Sequence, residues 1–277
     1  MRFLLLFCPL FVFAQSFDVQ GHRGCRGLMP ENTIPAFIKA VDIGVVTLEL
    51  DLAVSKDSQL VVSHDPWIDE SICNCTERIP IQSLTASEIQ QFDCGNKGNV
   101  RFQNQQRIMV SKPLFQKVVD TVESYVAAKQ LPSAKFNIEI KSKAEWDNRY
   151  TPPVTDFARL VVDFIHRQKD PTLFCVQSFD SRALEAVHKL DSTITTAWLF
   201  ALPNGWSVGL EGLSFRPTIL SPNYLVTRKS HIQKAHRLGF KVIPWTVNET
   251  GEMQRLIKLH VDGIITDYPD ILKALMK

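Results

Sequence analysis

Within QGHRGCRGLMPENTIPAFIKAVDIGVVTLELDLAVSKDSQLVVSHDP, residues 20–66, two histidines (His22, His64) and Arg23 accompany two carboxylates, Glu49 and Asp51, between short apolar runs. Two imidazoles can divide the roles of base and acid near neutral pH. A planar guanidinium matches the oxygens of a phosphoryl group. In TLELDLAV, side chains two apart share a strand face, so Glu49 and Asp51 point the same way and repel each other. A cation between them resolves the repulsion, and oxygen donors suit one hard divalent ion, Mg2+ or Ca2+, better than zinc. NIEIK at 137–141 repeats the spacing, so Glu139 can join the same cation while Lys141 reaches an anion beside it. These residue types together indicate phosphodiester chemistry, with metal, Arg23 and Lys141 neutralising the transition state.

Such side chains need a rigid frame. QGHRG ends a short strand over 17–21, which puts His22 and Arg23 where the chain leaves a sheet. PENTIPAFIKAVDIG reads as a helix start, with Asn32 or Thr33 as cap, Pro35 in the first turn and an end near Gly44. Phe37, Ala40 and Val41 form its apolar face. A second strand covers 47–54. From Pro113 helix and strand alternate regularly: a helix over 113–130, a strand over 136–141, then VTDFARLVVDFIHRQ, LFCVQSF, DSRALEAVHKL, TTAWLF, TILSPNY, TRKSHIQKAHRLG, KVIPWTVN, TGEMQRLIKLH, GIITDYP and DILKALMK. Eight strands alternating with helices predict an α/β protein with a parallel sheet closed into a TIM (β/α)8 barrel. The glycine-rich loop of a dinucleotide fold does not follow the first strand. Barrel sites form at the C-terminal ends of strands, where His22, Arg23, Glu49, Asp51, Glu139, Lys141, Gln177 and Trp245 all fall.

Other reactive types are assigned bland roles. His166, His188, His231, His236 and His260 lie on helices or helix ends and are read as structural. Cys25 neighbours His22, but no fitting base makes it a nucleophile. Pro30 and Asn32 shape the turn into the first helix, and Glu31 is given no catalytic part.

MRFLLLFCPLFVFAQS has an early arginine, an apolar run from Phe3 to Phe13 and a V-F-A cleavage pattern, so residues 1–14 are expected to be a signal peptide of a secreted or periplasmic protein. The run falls short of the roughly 20 residues of a membrane span. Residues 15–277 suit one barrel domain, with 45% hydrophobic and 22% charged residues; a formal net charge of +2 does not call for nucleic acid. Past His64 the polar, aperiodic stretch at about 66–110 reads as an insertion after the second strand. It holds one short helix, TASEIQQF, capped by Thr85 with Glu88 three residues on. It also holds Cys73, Cys75 and Cys94, and in an oxidising compartment Cys94 is expected to bond one of the other two.

The order HRG, PENT, ELD, SHD, continued by NIEIK and by DGIITDYP at 262–269, resembles the glycerophosphodiester phosphodiesterases over nearly the whole chain after the leader. The resemblance implies metal-assisted hydrolysis of a small-molecule glycerophosphodiester to glycerol 3-phosphate and an alcohol. His22 and His64 would be the catalytic proton carriers, Arg23, Lys141 and Trp245 the substrate contacts, and Glu49, Asp51 and Glu139 the metal ligands. It further implies an inserted subdomain over the mouth of the site, and attack by the adjacent glycerol hydroxyl to give a cyclic phosphate that water opens. A lysophospholipase D or phospholipase C-like enzyme is the alternative. A lysolipid would need an apolar groove, for which Trp67, Ile68, Trp206 and Phe215 are candidates. A non-catalytic barrel-fold binding protein is disfavoured because every motif position carries a chemically competent residue.

Overall fold

The computed structural model describes residues 17–206 and 212–277. The expected signal peptide, residues 1–14, lies outside them. Strand β1 (Asp18–Gly21) leads to helix α1 (Ile34–Ile43), which Thr33 caps by accepting from the Ala36 N–H. Gly44 ends the helix at φ 89°, a left-handed conformation that glycine adopts without strain. Ala36, Phe37, Ala40 and Val41 face the core. β2 (Thr47–Val54) is buried along its whole length. Its far end outruns the barrel and pairs antiparallel with β3 (Leu60–Val62). This hairpin is absent from the sequence reading because three residues are too few to show a period.

In the insertion, β4 (Trp67–Ile68) pairs with β5 (Ile79–Pro80), and α2 (Ala86–Ile89) carries the expected capping box between Thr85 and Glu88. Cys73 is bonded to Cys94. Ile68, Ile81 and Ile89 pack with this bridge into a separate apolar cluster resting on Ala53 and Val61 of the β2–β3 hairpin. The alternation then runs α3 (Phe115–Ala128), β6 (Lys135–Ile140), α4 (Val154–His166), β7 (Phe174–Ser178), α5 (Ser181–Leu190), β8 (Thr195–Phe200), β9 (Ile219–Pro222), α6 (Lys229–Arg237), β10 (Lys241–Val242), α7 (Thr250–Lys258), β11 (Gly263–Thr266) and α8 (Pro269–Leu275).

Eight of these strands are parallel, in the order β10-β9-β8-β7-β6-β2-β1-β11. The circle is nearly closed. Single backbone bonds bring β10 and β11 together: Asp262 N to Val242 O (2.9 Å), Ile265 N to Pro244 O (3.0 Å) and Val247 N to Ile265 O (3.0 Å). The seventh barrel strand, expected over 241–248, is regular only for two residues, since Pro244 has no N–H to give to a ladder. Between barrel and helices lies an aromatic core in which Phe115 stacks on Phe164 and Phe136 on Phe174, with centroids 4.3 and 5.2 Å apart. Inside the barrel, Ala197, Ile219, Ile243 and Ile265 fill one part. Gln20, Asn137 and Gln177 fill another, where branched apolar side chains are the rule. Among the described residues no helix is long and apolar enough to cross a membrane.

Candidate active site

The chain turns sharply after β1, with Arg23 at φ 50° and Gly24 at φ 88°. A Cβ on Gly24 would meet the Ala36 carbonyl carbon at 2.7 Å, so the loop lies pressed on α1. The turn brings the Arg23 N–H to Glu49 Oε2 (2.9 Å) and its Nε to 3.3 Å from Asp51 Oδ2. Asn32, held at φ 57°, donates from Nδ2 to the same Asp51 oxygen at 2.9 Å.

Glu49 and Asp51 share the inner face of β2, and the parallel register sets Glu139 of β6 beside Asp51. One oxygen from each of the three lies within 4.8 Å of the others, and all three residues are buried. Lys141 Nζ is 3.1 Å from Glu139 Oε1 and 3.7 Å from Asp51 Oδ1. Burial opposes ionisation of Asp51, but Arg23, His64 and Lys141 outweigh it and hold this carboxyl far below the usual range. Burial, assisted by Asp51, raises Glu49 well above its ordinary value. Glu139 is pushed up to about 7, chiefly by burial, with Lys141 opposing. Glu49 and Glu139 thus favour retaining protons that a divalent ion would displace, while Asp51 is already ionised. The triad can therefore hold a metal ion, and its oxygen donors fit a hard one.

His22 Nδ1 lies 2.6 Å from Asp267 Oδ1. Asp267 also accepts from Arg26 Nε (2.9 Å) and Nη2 (3.1 Å) and from Asn248 Nδ2 (2.7 Å). Burial lowers His22 to about 4 despite Asp267, while His22 and Arg26 keep Asp267 low despite burial. At neutral pH the imidazole is then neutral, with its hydrogen on Nδ1 toward the carboxylate and a bare Nε2, which lies 4.0 Å from Glu49 Oε2. His64 has Nδ1 3.1 Å from Asp65 Oδ1 and keeps 31% of its side chain exposed; burial and Arg23 lower its pKa as well.

Two cavities meet here. An inner one of about 230 Å³ is lined by His22, Arg23, Arg26, Glu49, Gln177 and Trp245. An outer one of about 610 Å³ is walled by Trp67, Trp146 and Lys143. His64, Glu139, Lys141 and Phe179 border both.

The pattern of the glycerophosphoryl diester phosphodiesterase family matches residues 22–271. The chain belongs to this family. A glycerophosphodiester phosphodiesterase of Caldanaerobacter subterraneus is 28% identical over 261 residues, covering 94% of this chain and 97% of its own. Rat lysophospholipase D is 26% identical, over 92% of this chain and 84% of its own. Among solved structures, a Silicibacter pomeroyi protein described as a glycerophosphoryl diester phosphodiesterase superposes with TM-score 0.83 at 25% identity, covering 95% of each chain. An Oleispira antarctica phosphodiesterase, solved with the product sn-glycerol-3-phosphate, shares the fold with TM-score 0.76 at 21% identity, over 94% of this chain and 96% of its own.

In this phosphodiesterase-family chain, the eight residues singled out as catalytic, substrate or metal groups all border the inner cavity except Asp51, which contacts Arg23 and Lys141 of its lining. Three further partners escaped the sequence reading. Asp267 is the acceptor for His22, and its signal was the aspartate directly after GIIT on the last strand. Glu31, read as part of a turn, accepts from Arg23 Nη1 at 2.7 Å and lies 3.6 Å from Arg26 Nη1. Asn32 shapes the turn as expected but also bonds Asp51. The apolar groove is only partly as anticipated. Trp67 walls the outer cavity, whereas Ile68 is buried in the insertion cluster. Trp206 lines a separate cavity with His231 and Phe240, and Phe215 stacks on His188 at 3.9 Å. Cys25 is buried, its thiol pushed up to about 12 by burial, which leaves it inert.

Proposed function

We propose that this enzyme splits a glycerophosphodiester into glycerol 3-phosphate and an alcohol, with Mg2+ or Ca2+ on Glu49, Asp51 and Glu139. One observation carries the reading. Three buried carboxylates, two cations suited to phosphate and two imidazoles meet where a small cavity opens into a larger one. The inner cavity suits a glycerol unit, the phosphoryl group fits the junction near Arg23 and Lys141, and the alcohol extends past Trp67 and Trp146. A divalent cation on the triad supplies positive charge against the phosphoryl oxygens.

His22 borders the inner cavity alone, and Asp267 keeps its Nε2 free to act as base. It takes the proton of the glycerol hydroxyl beside the phosphate while that oxygen bonds to phosphorus. The bond from phosphorus to the leaving alcohol breaks, and His64, which borders both cavities, gives that oxygen a proton. An anionic diester at the junction favours the imidazolium that His64 needs for this step. Water then opens the cyclic phosphate, with His64 taking a proton and His22 returning one to the glycerol oxygen. Arg23 and Lys141 hold the phosphoryl oxygens, and Trp245 walls the glycerol side.

The aromatic outer cavity favours, as a second reading, a lysolipid in the manner of a lysophospholipase D. Residues 1–14 are proposed to direct the chain to a secreted or periplasmic location, a reading that the Cys73–Cys94 bridge supports.

Turnover of glycerophosphocholine, glycerophosphoethanolamine and a lysolipid in EDTA, then with Mg2+ or Ca2+ restored, tests the substrate. Cation-restored hydrolysis of the first two is expected, and inactivity on all diesters refutes the reading. A 2-deoxy analogue should bind yet react very slowly, since the intramolecular attack is lost. Equal rates for the analogue and the natural diester would eliminate the cyclic-phosphate route.

A further inference from the structure

Gln20, Asn137 and Gln177 sit inside the barrel, each at most 2% exposed. They form one hydrogen-bonded chain. At its lower end Asp18 Oδ2 accepts from Gln20 Nε2 (2.8 Å), while Asp18 Oδ1 accepts from Thr47 Oγ1 (2.7 Å). Asn137 Nδ2 donates twice, to Gln20 Oε1 (2.8 Å) and to Gln177 Oε1 (2.9 Å). Gln177 Nε2 then donates to Glu49 Oε1 (2.8 Å), whose Oε2 takes the Arg23 N–H (2.9 Å).

At one end Asp18 accepts at both oxygens, and at the other Glu49, once it holds a cation, is an ionised carboxylate that only accepts. Donation must therefore run outward from the middle, which demands one group able to donate in two directions. The NH2 of Asn137 is that group. Turning any one of the three amides would set two acceptors face to face. Asn137 Oδ1 has no hydrogen-bond partner among the described residues, so the position uses the two N–H groups and leaves the carbonyl idle.

We propose that Asn137 and Gln177 are positioning residues for the metal site. The outward chain from Asn137 fixes the Gln177 amide, and with the Arg23 N–H it places one donor on each oxygen of Glu49. The carboxylate is thereby locked in the orientation that brings it within 4.8 Å of the oxygens of Asp51 and Glu139. Among the described residues the side chain of Asn137 bonds to Gln20 and Gln177 and to none of the triad. Its influence on the metal must pass through the chain.

Calorimetric titration of Mg2+ or Ca2+ into the substrate-free protein tests this. Gln177→Met and Asn137→Leu are each expected to weaken cation binding about 10- to 100-fold, the scale of partners that orient metal ligands. Because both act through one chain, the double variant should lose no more than the weaker-binding single. At saturating cation Asn137→Leu should regain the parental kcat, which general damage to the fold would not allow. A Kd for Asn137→Leu within twofold of the parent overturns the proposal, as does a double variant whose loss is the product of the two singles. Should Asn137→Leu fail to fold, Gln20→Met, one link further down, carries the same expectation and the same refutation. A parent that binds no divalent cation overturns it outright. The Kd outcomes are read without substrate, so a wrong substrate class leaves them unchanged.

Discussion

Replacing Glu139 by glutamine should stabilise the cation-free protein while removing the function of the site. The buried Glu139 carboxyl is pushed from 4.5 up to about 7. The folded state thus holds a proton there that the unfolded chain has released between those two pH values. Stability of the cation-free protein accordingly falls as pH rises through that window and levels off above it. At 1.36 kcal/mol per pH unit, the full gap corresponds to about 3 kcal/mol of lost stability at pH 8, and to about 1 kcal/mol at pH 5. Glutamine keeps the shape, can still accept from Lys141, and has no such proton to lose. Glu139→Gln in EDTA should therefore be more stable than the parent by about 3 kcal/mol at pH 8, a rise in Tm of roughly 6–10 °C for a chain of this size. The gain should shrink to about 1 kcal/mol at pH 5. Glu49 is raised in both proteins, and less so in the variant because the Glu139 charge that helps raise it is gone, which adds to the gain in the same direction. Cation at 1,000 times its Kd stabilises the parent by about 4 kcal/mol, enough to reverse the order if the variant no longer binds. Denaturant unfolding at the two pH values, with and without cation, reads all of this. A variant less stable than the parent in EDTA at pH 8, or a gain that ignores pH, would refute the reasoning.

His22→Ala and His64→Ala should each lower turnover of a choline diester by about 100-fold or more, the scale of general acid–base catalysis. A nitrophenyl diester, whose alcohol leaves without a proton, should rescue His64→Ala and not His22→Ala; the opposite pattern exchanges their roles. Asp267→Asn should lower kcat about 100-fold or more with little change in KM, because the amide can donate to Nδ1 and so favour the wrong tautomer. Retention of kcat would show that His22 needs no orienting acceptor. Replacing Cys73 and Cys94 together by serine opens a loop of sequence separation 21 and should cost about 3 kcal/mol in the chain-entropy view, measurable by denaturant unfolding. Titration of the unreduced, denatured protein over residues 17–277 should find the three thiols of Cys25, Cys75 and Cys175; five would exclude the bridge.

Much of the site was legible because it depends on neighbours a few residues apart. Alternation alone put Glu49 and Asp51 on one face of β2, and the same spacing put Glu139 and Lys141 together on β6. Thr33, Pro35 and Gly44 marked the ends of α1 through local backbone chemistry. Repetition of such units announced a barrel, and a barrel gathers its strand ends at one mouth. Distances across the chain are another matter, since they follow from which strands become neighbours. Asp267 meets His22, 245 residues away, because β11 closes the circle against β1. Gln177 reaches Glu49 across 128 residues because the small radius of the closed barrel brings polar side chains of β1, β2, β6 and β7 to one interior. Pro244 shortened β10 where the periodicity continued, and the insertion drew Ile68 into its own core and left Trp67 on the cavity wall. Period and capping are properties of a segment and can be read from it. The partner of a buried carboxylate is a property of closure, and it exists only once the eight strands have met.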